Sequence, residues 1–144
     1  MIKQYLAQYC QQNGWHFEYG RSDFHNLEVR DDNALFYLFL DPITQEIKFN
    51  EYNQATSYTE QGRFLLVMHS DFDRAYHSQQ SDDPAQGKYE KYIRPCKEAL
   101  LGLLGGLTCM PEVTPLKWTI TEVINLLDNN FDGVLVEFTL KNQE

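Results

Sequence analysis

The chain has 144 residues, of which 42% are hydrophobic, 14% aromatic and 23% charged, and this length is sufficient for one domain with a single core. Its content of Phe, Tyr, Leu and Val excludes a disordered tail, and no apolar run approaches the roughly 18 residues of a membrane-spanning helix. The net charge of -9 at pH 7 repels nucleic-acid phosphates and anionic lipids, so we expect neither a membrane nor a specific nucleic acid as a partner.

The first part of the chain predicts a helix followed by strands. Apolar residues at helical spacing predict a helix over residues 2–10, and Asn13-Gly14 is a typical helix end. Residues 15–19 alternate aromatic and polar side chains, which predicts a strand with one solvated face. Residues 27–29 form another short alternating segment.

The middle of the chain contains apolar segments separated by polar ones. The apolar run ALFYLFL (residues 34–40) predicts a central strand that is covered on both faces, and residues 47–51 predict an alternating partner strand. The polar residues 53–62 (NQATSYTEQG) predict a long exposed loop or hairpin tip. Residues 64–68 predict a second buried strand, and residues 78–87 (SQQSDDPAQG) predict a surface loop.

A long helix is predicted behind that loop. Apolar residues keep a helical period over residues 89–107, so one stripe of the helix is buried. Pro95 lies within the stripe, which predicts either a kink or the beginning of the regular helix there. Gly105-Gly106 predicts the end of the helix, and the glycines of LLGLLGGL predict a close approach to a sheet or a neighbouring subunit.

The chain closes with two predicted strands. Residues 116–120 and 134–140 alternate apolar and polar side chains, so they can pair as an antiparallel hairpin. Residues 129–133 (NNFDG) predict a turn before the last strand. With no repeat and no long linker, the order of elements predicts one α+β domain over residues 1–144. We expect a largely antiparallel sheet with an N-terminal helix and one long helix packed on one face.

The cysteines and the N-terminal segment bear on location. Cys10, Cys96 and Cys109 are odd in number and widely spaced, which predicts reduced, buried thiols in the cytoplasm rather than a disulfide framework. The segment MIKQYLAQYC is amphipathic and lacks the apolar core and cleavage site of a signal peptide. We therefore expect a cytoplasmic chain that is not secreted through a signal peptide.

One group of metal-ligating residue types follows the second buried strand. His69, Asp71 and Asp73 alternate, so they share a face if the strand continues, and His77 adds a fourth group. The same residues are ordinary where a strand runs out into solvent, and a site needs convergent groups from elsewhere in the fold. We assign no metal ion, cofactor or catalytic residue, and keep a small metal-dependent enzyme using this cluster as an alternative.

Other features favour protein contacts over catalysis. The sequence contains no nucleophile elbow, P-loop, dinucleotide-binding glycine pattern or helical His-Glu metal motif. Several of the nine tyrosines lie on predicted loops or helix edges, where a half-exposed tyrosine suits a protein interface. A monomeric protein-binding module is therefore a second alternative.

Taken in order, these segments resemble the phage tail terminator or tail-completion proteins, which close the tail tube at the neck. That family shows an N-terminal helix, a buried strand, a long hairpin, a helix packed on the sheet and a final pair of strands. The matching segments are MIKQYLAQYC, ALFYLFLDP, the hairpin of residues 47–68, YEKYIRPCKEALLGLL, LKWTITEVI and VLVEFTL.

The resemblance implies a non-enzymatic, ring-forming structural protein of a phage or prophage, a hexamer between the tail tube and the head connector. Its partners would be further copies of itself and the tail-tube and head-connector proteins. It would lie in the cytoplasm during assembly and then in the neck or tail of the virion. By the same analogy long loops reach neighbouring proteins, so the contact residues would be Gln54, Tyr58, Glu60, Asp82, Asp83 and Gln86.

Overall fold

The structure of this chain is a computed structural model that describes residues 2–20, 34–69, 89–126 and 131–142. These ranges form an α+β fold with two α-helices and a six-stranded, mostly antiparallel sheet. The predicted fold class, an antiparallel sheet with an N-terminal helix and one long helix, is confirmed.

The elements follow the chain in this order: α1 (Ile2–Asn13), β1 (His16–Tyr19), β2 (Tyr37–Leu40), β3 (Thr44–Phe49), β4 (Ala55–His69), a π-helical turn (Tyr89–Ile93), α2 (Arg94–Thr108), β5 (Val113–Leu126) and β6 (Phe131–Asn142). The strand order in the sheet is β1-β2-β4-β6-β5, and β3 pairs with β4 beyond the end of β2. Among the described strands, only the β1–β2 pair is parallel.

Helix α1 forms as its periodicity predicts. Ile2, Leu6 and Cys10 are fully buried along one stripe, and the chain leaves the helix at Gly14, where φ is 71°. A positive φ favours glycine because no Cβ collides with the backbone there. The predicted helix and its end are therefore confirmed, and β1 follows at once as predicted.

Strands β2 and β3 lie end to end along the same edge of β4. Leu40 pairs with Phe64 and Thr44 pairs with Gln61, so residues 41–43 of one strand oppose only residues 62–63 of the other. Residues 41–43 thus contain one extra residue, which is a β-bulge. Pro42 lies within this bulge, where its lack of an N–H costs no hydrogen bond between the strands. All four residues of β2 are buried, as predicted for a strand covered on both faces.

The prediction of a long exposed loop or hairpin tip over residues 53–62 holds only for residues 53–54, which lie in the turn before β4, and is wrong for the rest. Residues 55–61 pair with β3 on one side, and residues 58–69 pair with β6 on the other. The segment is polar because β3 is exposed on both of its faces, so this part of the sheet needs no apolar alternation. Its threonines and Tyr58 nevertheless favour extended backbone, and pairing on both sides supplies the hydrogen bonds. The turn itself spans residues 50–54.

Both helices pack on one face of the sheet, which we call the helix face. The core on this face combines one stripe of each helix with alternate residues of the strands: Ile2, Leu6, Cys10, Cys96, Leu100, Leu103, Leu107, Leu38, Leu40, Phe64, Leu66, Val134, Val136, Phe138 and Leu140. The opposite face, which we call the open face, carries a smaller buried cluster of Tyr37, Phe39, Val67 and Phe131.

Helix α2 shows which of the two predictions for Pro95 holds. The regular helix begins at Arg94 and Pro95 lies in its first turn, where the missing N–H has no intrahelical partner in any case. The π-helical turn precedes it, so the helical period continues back to Tyr89. The helix ends at Thr108, slightly beyond the Gly105-Gly106 end that the sequence predicts.

The predicted antiparallel pairing of the last two strands is confirmed, but the turn predicted at residues 129–133 is wrong in its second half. Phe131 and Asp132 are fully buried in β6. A Cβ at Gly133 would lie 2.2 Å from the carbonyl oxygen of Leu66. Glycine, which is typical of turns, is therefore required here because β4 passes close to the backbone of β6. The segments predicted at residues 27–29 and 78–87 lie outside the described residues.

The glycines of α2 allow a close approach, as predicted, but the neighbour is helix α1. A Cβ at Gly106 would lie 2.5 Å from Oη of Tyr5, and a Cβ at Gly102 would lie 3.1 Å from Oη of Tyr9. The Tyr5 hydroxyl donates a hydrogen bond to the carbonyl oxygen of Leu103. Burial raises the pKa of Tyr5 to about 12, so this hydroxyl keeps its proton at neutral pH.

Two glycine substitutions measure this close approach. A Cβ at Gly105 would meet nothing within 4 Å, so Gly105→Ala should raise the free energy of unfolding by up to about 1 kcal/mol through the better helix propensity of alanine. Gly106→Ala gains the same propensity but collides with Tyr5, so its free energy of unfolding should lie about 1–3 kcal/mol below that of Gly105→Ala. Denaturant unfolding measures both.

The control is the double variant Tyr5→Phe/Gly106→Ala. It removes the hydroxyl that the new methyl group meets, so it should lose less stability than the two single changes predict together. Equal stabilities for Gly105→Ala and Gly106→Ala would contradict the close packing of the two helices.

Candidate functional site

The metal-ligand candidates are only partly within the described residues. His69 is the last residue of β4, and its ring stacks on Phe131 with centroids 4.5 Å apart and meets Tyr37 edge-on at 4.9 Å. Asp71, Asp73 and His77 lie outside the described residues. Within the four described ranges, no group of three His, Cys, Asp or Glu side chains is arranged to hold a metal ion.

A second histidine lies on the same open face. Nε2 of His16 is 2.8 Å from Oε1 of Glu18, two residues along β1. The His16 ring contacts Tyr37 at 5.3 Å and Phe39 at 6.5 Å. Both histidines thus border the buried aromatic cluster of the open face.

The predicted contact residues do not form one exposed loop. Gln54 belongs to the turn before β4, whereas Tyr58 and Glu60 are residues of β4 itself. Glu60 is only 7% exposed, and its Oε1 accepts a hydrogen bond of 2.8 Å from Nδ2 of Asn142. Glu60 therefore stabilises the β4–β6 pairing. The other three candidates, Asp82, Asp83 and Gln86, lie outside the described residues.

The turn that joins β3 to β4 is held by the side chain of Asn50. Its Oδ1 accepts hydrogen bonds from the backbone N–H groups of Tyr52 and Gln54, and its Nδ2 donates to Oε1 of Gln54. Asn53 takes a positive φ of 60°, which asparagine tolerates well. These local bonds give the hairpin a well-defined tip.

Large apolar side chains are exposed along β3 and at this tip. They are Ile47, Phe49 and Tyr52, which we call the β3 surface; Phe49 is 63% and Tyr52 75% exposed. Because side chains alternate along a strand and Ile47 pairs with Tyr58, Ile47 and Phe49 point to the helix face. The sequence predicts an alternating strand over residues 47–51, and the structure places this strand at Thr44–Phe49.

A second exposed apolar surface lies at the other edge of the sheet. Among the described strands, β5 pairs only with β6, so its outer edge carries no strand. Exposed apolar residues there and on the adjacent helix α2 form what we call the β5 surface: Leu101, Leu116, Ile120 and Ile124. Ile120 and Ile124 share the helix face with Trp118, which packs against the core.

An ion pair holds α2 against β5 beside this surface. Nζ of Lys97 donates a hydrogen bond of 2.8 Å to Oε2 of Glu122, and that bond raises the pKa of Lys97. Leu101 lies one helical turn beyond Lys97 on the same side of α2, and Ile120 and Ile124 flank Glu122 on the same side of β5. Helix and strand therefore contribute to one continuous surface.

The open face carries a polar groove with a volume of about 830 Å³. Nε of Arg63 donates a hydrogen bond of 2.7 Å to Oδ2 of Asp41, and Lys117 and Glu137 also line the groove. Side chains of opposite charge lie next to one another, so the groove does not select ions of one sign.

No protein-family model matches this chain, and no curated protein matches it.

In the part of the chain that the structure describes, neither helix is long and apolar enough to cross a bilayer.

The three cysteines differ in access, which thiol labelling measures. The predicted burial is confirmed for Cys10 and Cys96, which are fully buried, and is wrong for Cys109, which is exposed. Burial raises the pKa of Cys10 to about 12 and raises that of Cys96 as well, and the thiolate is the reactive form. An aromatic disulfide reagent should therefore label only Cys109 in the folded protein, and all three thiols after denaturation.

The variant Cys109→Ser is the control, and it should show no rapid labelling when folded. Rapid labelling of this folded variant would contradict the burial of both Cys10 and Cys96.

The raised pKa of Cys10 has a consequence for stability. The pKa of the Cys10 thiol is 9.0 in the unfolded chain and about 12 in the folded protein. Burial of the neutral thiol therefore adds fully to the free energy of unfolding below pH 9, and this contribution is lost as the pH rises from 9 toward 12.

Proposed function

We propose that this chain is a non-enzymatic structural subunit that associates with further copies of itself through the two edges of its sheet. One observation carries the proposal: β3 and β5, each of which pairs with one strand among the described residues, expose large apolar side chains on the helix face. An exposed strand edge offers unpaired backbone groups to another strand, and apolar side chains beside it add area that association removes from water.

The positions of the two surfaces support an assembly larger than a dimer. The β3 surface and the β5 surface lie at opposite edges of one sheet, so each copy can contact one neighbour through each edge. Contacts between two different surfaces are heterologous, and they generate a ring when the rotation between copies closes.

The resemblance to phage tail terminator and tail-completion proteins supports a specific setting for such a ring. We propose a hexameric neck component of a phage or prophage, with the tail-tube and head-connector proteins as its further partners. In this role the protein is cytoplasmic during assembly and then part of the virion. Its net charge of -9 suits a ring through which DNA slides, because like charges repel.

Light-scattering mass on a size-exclusion column tests the self-association. The unmodified protein should show a mass above that of the 16.9 kDa chain, and the mass should rise with concentration. Ile120→Lys places a charge in the β5 surface, where edge strands commonly use lysine to prevent pairing. This variant should elute as a monomer with an unchanged melting temperature.

A matched control adds the same charge elsewhere. Gln61 is exposed in the interior strand β4 and lines the polar groove of the open face, so Gln61→Lys should associate as the unmodified protein does. A monomer at every concentration of the unmodified protein would contradict the self-association and favour the monomeric protein-binding module. Association that survives Ile120→Lys would exclude β5 from the contact.

A further inference from the structure

We infer that Asn13 is a site of spontaneous deamidation in the folded protein, and that the modified residue loosens the C-terminal end of helix α1. The group that reacts is the side-chain amide of Asn13, and the co-reactant is water. Residues 13–14 are the one Asn-Gly pair in the sequence. The reaction does not depend on the proposed self-association.

Asn13 and Gly14 lie at an accessible end of the helix. Asn13 is the last residue of α1, and residues 11–14 are all exposed. A Cβ at Gly14 would meet nothing within 4 Å, so the space beside its backbone is open to water. Because glycine has no side chain, its backbone nitrogen is unshielded and its backbone is free to rotate.

The reaction first forms a ring between the two residues. The backbone nitrogen of Gly14 bonds to Cγ of Asn13, the bond from Cγ to Nδ2 breaks, and Nδ2 leaves as ammonia with the proton of the attacking nitrogen. Water then opens the cyclic imide at one of its carbonyl carbons. Opening at Cγ gives aspartate, whereas opening at the backbone carbonyl carbon gives isoaspartate, in which the main chain continues through Cγ. No oxidant or reductant takes part.

The closed end of the helix slows the first step. Nδ2 of Asn13 donates a hydrogen bond of 2.8 Å to the carbonyl oxygen of Tyr9, one turn back along the helix, so the amide is held away from Gly14. The backbone N–H of Trp15 donates a hydrogen bond of 2.8 Å to the carbonyl oxygen of Cys10. This bond closes the turn around Gly14, where φ is 71°. The ring forms when this last turn opens, and the ends of helices are where a fold opens at the lowest free energy.

Deamidation removes the interactions that close the turn. An aspartate at position 13 has no N–H to donate, so its carboxylate faces the carbonyl oxygen of Tyr9 without a hydrogen bond. The new negative charge also lies at the negative end of the helix dipole, which destabilises the last turn. Isoaspartate lengthens the main chain and so disrupts the bond between Trp15 and Cys10. The modified turn therefore opens more often than the original one.

The packing next to the turn depends on its being closed. The ring of Trp15 lies 5.1 Å from that of Tyr9 and 5.1 Å from that of Phe36, and both Tyr9 and Trp15 pack against the core of the helix face. Trp15 is followed directly by strand β1. A looser turn thus weakens the contact of the helix end with the start of β1.

Peptide mass spectrometry tests the reaction on the whole protein. Trypsin cleaves after Lys3 and Arg21 and releases residues 4–21, in which Asn13 is the only asparagine. During incubation of the folded protein at mildly alkaline pH, this peptide should acquire two product peaks, aspartyl and isoaspartyl, each with the mass of a carboxyl group in place of the amide. In denaturant the same conversion should be several-fold faster, because the turn is then always open.

Variants at the same position separate the reaction from its consequence. Asn13→Asp carries one product from the start, so its melting temperature should lie about 2–4 °C below that of the unmodified protein. Asn13→Gln keeps an amide that would have to close a larger ring, so its peptide should keep its mass over the same period. Asn50 and Asn53 are internal controls, since neither precedes a glycine, and both should remain amides.

A folded protein that keeps the amide of Asn13 while the denatured chain converts would overturn the assignment of a site in the folded state. Conversion at equal rates in the folded and the denatured protein would overturn the closed turn as the step that limits the reaction. An Asn13→Asp variant with an unchanged melting temperature would overturn the loosening of the helix end.

Discussion

The pairing of β4 with β6 is the interaction on which the rest of the structure depends. It runs from Tyr58 opposite Asn142 to His69 opposite Phe131 without a register shift. Because side chains alternate between the faces of a sheet, this register decides which residues meet the helices. If one of the two strands slipped by one residue, its side chains on the helix face would move to the open face. The helices, the hairpin tip and both outer strands all take their positions from it.

Much of the fold is predictable where an apolar pattern corresponds to burial. The stripes of α1 and α2, the run that contains β2 and the alternation of β6 all become core. The pattern fails at residues 55–62, where a polar strand is stabilised by two neighbours distant in sequence. It also fails at Asp132 and Gly133, because typical turn residues there serve a buried strand. In both places non-local pairing overrides local composition.

The β3 surface and the β5 surface are less predictable, because the position of a strand at the edge of a sheet depends on the strand order. Ile47 and Ile120 each belong to an ordinary alternating segment, and nothing local marks them as exposed. Only the strand order places them at opposite edges of one sheet, on the same face. The acidic and polar residues that suggest contact loops are a weaker guide, since Glu60 is buried within the sheet. The surfaces suited to assembly are thus the exposed apolar side chains beside strand edges that no other described strand pairs with.

The measurement that tests the edge contact most directly is amide hydrogen exchange followed over a range of protein concentration. Among the described strands, no second strand lies beside the outer amides of β3 and β5, whereas the amides between β4 and β6 are bonded in every state. The account predicts that exchange in β3 and β5 slows together as concentration rises, while exchange in β4 and β6 stays constant. Exchange in β3 and β5 that is independent of concentration, in a sample that associates, would contradict it.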